Sequence, residues 1–252
     1  LHALIRSPAR DTSFATRQEA LYEAAHRQIP TMFRSDNSRN PNLIPTLKPW
    51  GLEEVPDGEA WFDYRDRVKE ARHQVQELTI HGDSERSAEF YRRLEMDLCA
   101  EDPARWIAFW LWIHEPRIRK GESPIKPFVP FGFQVELAQW FMEKTGLEEP
   151  YDGYVSKARG LGASWIFCAV AVWAWLYRPW SGILISRNEK SVDNRGDMNS
   201  LFGKIDFILD MLPQWMLPQG FDPEIHRLKN YLRHPADPTI ALIGEATTSK
   251  AA

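Results

Sequence analysis

The chain has 252 residues, 43% hydrophobic, 12% aromatic and 26% charged, with 11 Trp and 18 Pro; this excludes a disordered segment and fits one full core with a smaller appendage. Its formal net charge of -4 excludes the overall basic character of a dedicated nucleic-acid-binding domain, so a DNA partner would be gripped locally. Cys99 and Cys168 have no C-x-x-C neighbour, which excludes a structural zinc or disulfide framework and reads as two buried thiols in a reducing compartment.

Residues 12–28, TSFATRQEALYEAAHRQ, hold a Thr16-x-x-Glu19 capping box with Leu21 and Ala25 at helical spacing, which predicts a first helix. From Ile29 to Gly58, Pro30, Pro41, Pro45, Pro49 and Pro56 among Asn and Ser predict an extended arm. AWFDYRDRVKEARHQVQEL and SERSAEFYRRLEMDLCA follow as charged helices. DPARWIAFWLWIHEP predicts another, capped by Asp102 and ended by Pro116, with Trp106, Trp110 and Trp112 in the core. His114 reads as a C-terminal cap of that helix. RIRKGESPIKPFVPFG reads as a basic, proline-broken linker. These shifts divide the chain into an N-terminal helix and arm (1–60), a helical subdomain (61–118) and a third region (119–252).

In the third region the pattern alternates. FQVELAQWFMEKTG predicts a helix, YDGYVSKA a strand entering a loop, SWIFCAVAVWAWLY a helix, GILISR a strand, NSLFGKIDFILDML a helix and PTIALIGEA a strand. That alternation predicts an α/β fold, a parallel sheet with helices on both faces. The apolar run Ala163 to Tyr177 falls short of the roughly 20 residues that span a bilayer, so it reads as a buried helix. No signal peptide opens the chain at Leu1, and its ending in TTSKAA reads as that of a fragment.

The chemistry-bearing motif is GYVSKARGLGASW, residues 153–165. A phosphate site needs a strand, a loop whose N–H groups converge, glycines that let backbone approach the anion, and a helix start facing it. Here Tyr154 and Val155 end the strand, Gly160 and Gly162 open the backbone, and a helix begins at Ala163 or Ser164. The usual G-x-x-x-x-G-K-[ST] pattern has lysine before the hydroxyl residue, whereas this chain has Ala163 there and Lys157 at the loop's opening. Ser164 keeps the hydroxyl position that ligates Mg²⁺, Lys157 reaches back with its long stem, and Arg159 adds a fork for phosphate oxygens. A plain glycine turn with incidental cations is the alternative.

SKARGLGASW, followed by an apolar helix and GILISRNEKSVDNRGDMNSLFGKIDFILDMLPQWMLP, resembles the ATPase domain of large terminase subunits, the DNA-packaging motors of tailed bacteriophages. The likeness covers about residues 102–252 and is sharpest in the loop and in SRNEKSVD. It implies a P-loop NTPase fold of the RecA-like (ASCE) class, ATP and Mg²⁺ as cofactors, and Ser164 as the metal ligand. It also implies Lys157 and Arg159 as catalytic residues within a cradle of Ser156, Lys157, Ala158, Arg159, Gly160, Leu161, Gly162, Ala163, Ser164 and Trp165. FVPFGFQVEL resembles the segment whose glutamine reads adenine, which implies Gln134 as that contact and Phe131 or Phe133 as a packing or stacking neighbour. The implied activity is ATP-driven movement of double-stranded DNA into a procapsid. Implied partners are that DNA, a portal protein, a small terminase subunit and further copies in a pentameric ring, with no membrane. The implied location is the host cytoplasm, and transiently the procapsid portal.

Hydrolysis needs a strand ending in Asp-Glu, one to hold Mg²⁺ and one to orient water. DFILDM places Asp210 on a helical surface, and IALIGE puts Gly244 before Glu245 where the aspartate would stand. The family's acidic strand follows such a segment, so the chain is expected to bind ATP but hydrolyse it poorly and to lack the nuclease domain. Candidate DNA-gripping cations are Arg117, Arg119, Lys120 and Lys126, and Arg227, Lys229 and Arg233 of HRLKNYLRH. A helicase-like DNA-dependent ATPase and a non-catalytic interaction domain remain the other readings.

Overall fold

The structure is a computed structural model that describes residues 55–56, 58–82, 84–117, 120–145, 153–157, 160–178 and 180–248. The expected helix at 12–28, the arm up to 54, Arg119, Ala158 and Arg159 lie outside these residues. Among the described residues the chain is mixed α/β, with eight α-helices and two small sheets. It forms two compact units that divide between Trp140 and Phe141. No described helix is long and apolar enough to cross a membrane.

The first unit is built on α1 (Ala60–Ile80), α2 (Glu85–Glu101) and α3 (Pro103–Trp110). Ser84 caps α2 by accepting from Ser87 N–H, and Asp102 caps α3 by accepting from Ala104 N–H at 2.8 Å, with Pro103 opening the helix. Every residue of α3 is buried. Its last carbonyls are satisfied from α1: Arg72 Nη1 donates to Ala108 O at 3.2 Å and Leu111 O at 2.7 Å, and Gln76 Nε2 to Phe109 O at 2.9 Å.

Those bonds close α3 at Trp110, earlier than the expected stop at Pro116. Leu111 turns extended (ψ 152) and β1 (Trp112–His114) pairs antiparallel with β2 (Ile125–Pro127). The segment read as a linker thus supplies a strand, and His114 ends a strand instead of capping a helix. A short apolar run carries no period that separates helix from strand, and here the caps from Arg72 and Gln76 decide. Then α4 (Gly132–Thr145) begins, and the division between units falls inside it.

The second unit contains α5 (Ala163–Tyr177), β3 (Gly182–Ser186), α6 (Glu189–Val192), α7 (Leu201–Met211), α8 (Pro223–His226), β4 (Arg227–Leu228), β5 (Tyr231–Arg233) and β6 (Ala241–Ala246). The strand order is β3-β6-β5-β4. β3 and β6 are parallel, as the alternating pattern predicts, while β5 and β4 add on antiparallel. HRLKNYLRH therefore forms β4, β5 and their turn. α5 is buried over most of its length, with Ile166, Trp173 and Trp175 fully enclosed. It meets α7 where Trp165 stands edge-on to Phe207, centroids 5.7 Å apart.

Two expectations are corrected. Residues 153–157 form no strand, and Tyr154 is 90% exposed, so its ring stays outside any packed pleat. Nor is the sheet covered on both faces by the described residues. At Gly244 one face is so close to α6 and α7 that a Cβ would meet Val192 Cγ1 at 2.5 Å and Phe202 Cε2 at 2.7 Å. On the other, Ile183 and Ile185 are 62% and 61% exposed. The register continues that open row through Ile243, Tyr231 and Leu228.

Candidate phosphate-binding loop

Gly160 (φ 87) and Gly162 (φ 74) both take the left-handed conformation that side chains disfavour. Gly162 is the N-cap of α5: its carbonyl accepts Trp165 N–H at 2.8 Å and Ile166 N–H at 3.2 Å. No side chain caps this end, and its first turn has no acidic residue. The positive end of the helix dipole is thus met by no acidic side chain or side-chain cap, an arrangement that suits an anion.

Ser164 is exposed on this turn, and Leu161 is 39% exposed beside it. Ala163 is only 6% exposed, so a lysine there would start from a buried Cβ. Ser156 and Lys157 are exposed, before the undescribed Ala158 and Arg159. Trp165 is half-buried, with the Lys204 ammonium 5.8 Å from its ring centroid. Lys204 is 7% exposed and donates to Ser200 O at 3.2 Å, and burial holds its pKa below the usual lysine value. Sequence reasoning missed this cation because helical periodicity alone gives no sign that a lysine points inward.

Gln134 belongs to the first unit and the loop to the second. Its side chain is buried, and Oε1 accepts Phe131 N–H at 3.0 Å. That is a capping-box bond from the third helical position back to the residue before α4. Phe131 stacks on Trp61 (4.2 Å, 22°) and runs nearly parallel to Phe133 (5.8 Å, 7°), while Trp61 Nε1 donates to Pro130 O. Phe131 and Phe133 are 42% and 45% exposed.

Among the described residues no three His, Cys, Asp or Glu side chains gather as a metal site, so the Mg²⁺ assignment rests on Ser164. Glu245 is exposed on β6 after Gly244, and Asp210 is half-buried on α7. Both cysteines are buried thiols outside any disulfide; burial pushes the Cys168 thiol up to about 12.

The candidate DNA cations separate. Arg117 and Lys120 are exposed, and Lys126 is half-buried and bonded to Glu122 at 3.0 Å. Lys229 is exposed, and Arg233 donates to Ile225 O at 3.3 Å. Arg227 is withdrawn altogether: it is 4% exposed and bound by Asp193 and Asp206. A guanidinium so engaged offers nothing to a phosphate.

No family model, curated protein or solved structure matches the chain.

Proposed function

We propose that the second unit is the nucleotide-binding part of a P-loop motor ATPase of the terminase kind, coupling ATP to movement of double-stranded DNA. The observation that carries this reading is the left-handed glycine pair leading into an uncapped helix start with Ser164 exposed on its first turn. An N-terminus of that form suits a polyphosphate. Lys157 supplies charge from the loop's opening, Ser164 offers its hydroxyl to Mg²⁺, and Gly160 and Gly162 let backbone reach the phosphates. Arg159 completes the cation set in this reading. A bound metal would neutralise phosphate charge, and the chain's own residues would hold and orient the nucleotide.

Gln134, in the first unit, spends its oxygen on the Phe131 N–H cap. The parallel pair β3 and β6 fits the start of a RecA-like sheet, and Gly244-Glu245 lacks the aspartate that hydrolysis requires. The chain accordingly binds ATP and turns it over poorly. Titration of a fluorescent ATP analogue tests this: Lys157→Ala and Ser164→Ala should each weaken binding at least about tenfold, close to the loss of one charge-assisted bond. Unchanged affinity in both would remove the site.

A further inference from the structure

The turn between β4 and β5 is held against the segment that follows β3. Asp193 accepts Asn230 N–H at 2.6 Å and two Arg227 N–H groups at 2.8 and 2.9 Å. Arg195 Nη2 donates to Arg227 O at 3.1 Å, and Lys229 Nζ lies 3.6 Å from Glu189 Oε2. These bonds join residues 188–196 to residues 227–230. They set Lys229 beside Glu189, the residue before Lys190, and Arg195 beside Arg227, and Lys190, Arg195 and Lys229 are all exposed. Arg227, which sequence reasoning counted among the gripping cations, is the anchor beneath.

The carboxylates of Asp193 and Asp197 keep their charge here, but their bonds go to groups other than these three cations. Glu189 meets Lys229 through a long pair whose side chains are 50% and 71% exposed, a geometry that contributes little. The Asp197 carboxylate accepts from Asn194 Nδ2, Asn199 N–H and Asn199 Nδ2, and Asp193 is committed to Arg227. Backbone is also accessible here: Gly196 (φ 79) has nothing within 4 Å of where a Cβ would sit, and Asn230 (φ 55) is the one described non-glycine residue in the left-handed region.

We propose that Lys190, Arg195 and Lys229 form a grip for the phosphodiester backbone of duplex DNA. Residues 188–196 and 227–230 contain no aromatic ring to stack an unpaired base, which favours a duplex over a single strand. The inference rests on reading the chain as a motor on double-stranded DNA, and it names the surface that would touch the track. It needs no basic domain, in keeping with the net charge of -4.

The test is anisotropy of a labelled mixed-sequence duplex, titrated with the nucleotide-free chain over a range of salt concentrations. Replacing all three cations by alanine should weaken binding uniformly across sequences and lower the log–log salt slope by about one per cation. Glu189→Gln should tighten binding by releasing Lys229, and Arg93→Ala, in the other unit, should change nothing. The proposal is overturned if the triple variant keeps the wild-type affinity and slope. It is equally overturned if the wild type binds no duplex at low salt, or if single strands or anionic vesicles bind as tightly through the same cations. ATP-analogue binding and its loss in Lys157→Ala are read separately, so failure of the grip leaves the nucleotide site standing.

Discussion

Asp193 and Arg227 meet through two parallel bonds, Nη2 to Oδ1 at 2.8 Å and Nη1 to Oδ2 at 2.9 Å, with both side chains 4% exposed. Asp206 takes Nε at 2.7 Å, and the guanidinium lies over Phe202 at 4.5 Å. Burial disfavours charge on Asp193, but the bonds from Arg227 and Asn230 N–H outweigh it and hold the carboxyl below its ordinary range; burial pushes Asp206 upward. Asp193→Ala leaves the guanidinium half-paired, so urea unfolding of the second unit should show a loss of about 3–5 kcal/mol. Arg227→Lys should fail to preserve stability, because an ammonium cannot make the fork. A loss below about 1 kcal/mol for Asp193→Ala would place the pair among ordinary surface bridges.

Glu95 and Arg105 form the corresponding buried pair in the first unit, 2.5 Å apart at 1% and 3% exposure, with Trp110 Nε1 donating to the other carboxylate oxygen at 3.0 Å. Glu95→Ala strands a buried guanidinium and should cost about 3–5 kcal/mol. The double replacement Glu95→Leu with Arg105→Met should recover most of that, since an apolar pair of similar size avoids the desolvation of both charges. Thermal melts of the single and double variants decide it: equal losses would mean the charges themselves are needed.

His234 stands edge-on to Trp175, ring centroids 5.3 Å apart. Burial holds its pKa below the ordinary 6.5, against the pull of Asp237. The unfolded chain takes up this proton first, so the stability His234 contributes is present above its unfolded pKa and lost as pH falls through the folded one. From about pH 7.5 to about pH 5.5, across the ordinary titration of histidine, the wild-type Tm should fall further than that of His234→Phe. Parallel Tm profiles would show that His234 is not the group responsible.

Gly162 carries the backbone geometry of the loop, so Gly162→Ala places a Cβ at φ 74 and should cost about 1–2 kcal/mol. Calorimetry should also find weaker ATP binding, because relief of that strain moves the first-turn N–H groups. If Gly162→Ala binds ATP like the wild type, the left-handed turn is incidental to the site.

The start of α3 was legible because Asp102 announces it and accepts Ala104 N–H, while Ser84 and Ser200 cap α2 and α7 in the same way without having been read as caps. β3 and β6 were legible as apolar runs between turns. Trp112 was misread because its segment is apolar throughout, and only Arg72 and Gln76, a helix away, end α3 before it. The β4–β5 hairpin was hidden by its charges, since nothing local in HRLKNYLRH says that Arg227 turns inward to Asp193. In the candidate site, Gly160, Gly162 and Ser164 could be read directly from a known spacing. The bond from Gln134 to Phe131 N–H and the buried Lys204 are products of packing, which a linear pattern does not carry.

Hydrogen exchange along the chain with and without Mg-ATP tests the central claim most directly. The account predicts slowed exchange at the amides of Gly160 to Ile166, where α5 begins, and loss of that protection in Lys157→Ala. Exchange there that ignores Mg-ATP, or protection that survives Lys157→Ala undiminished, would contradict it.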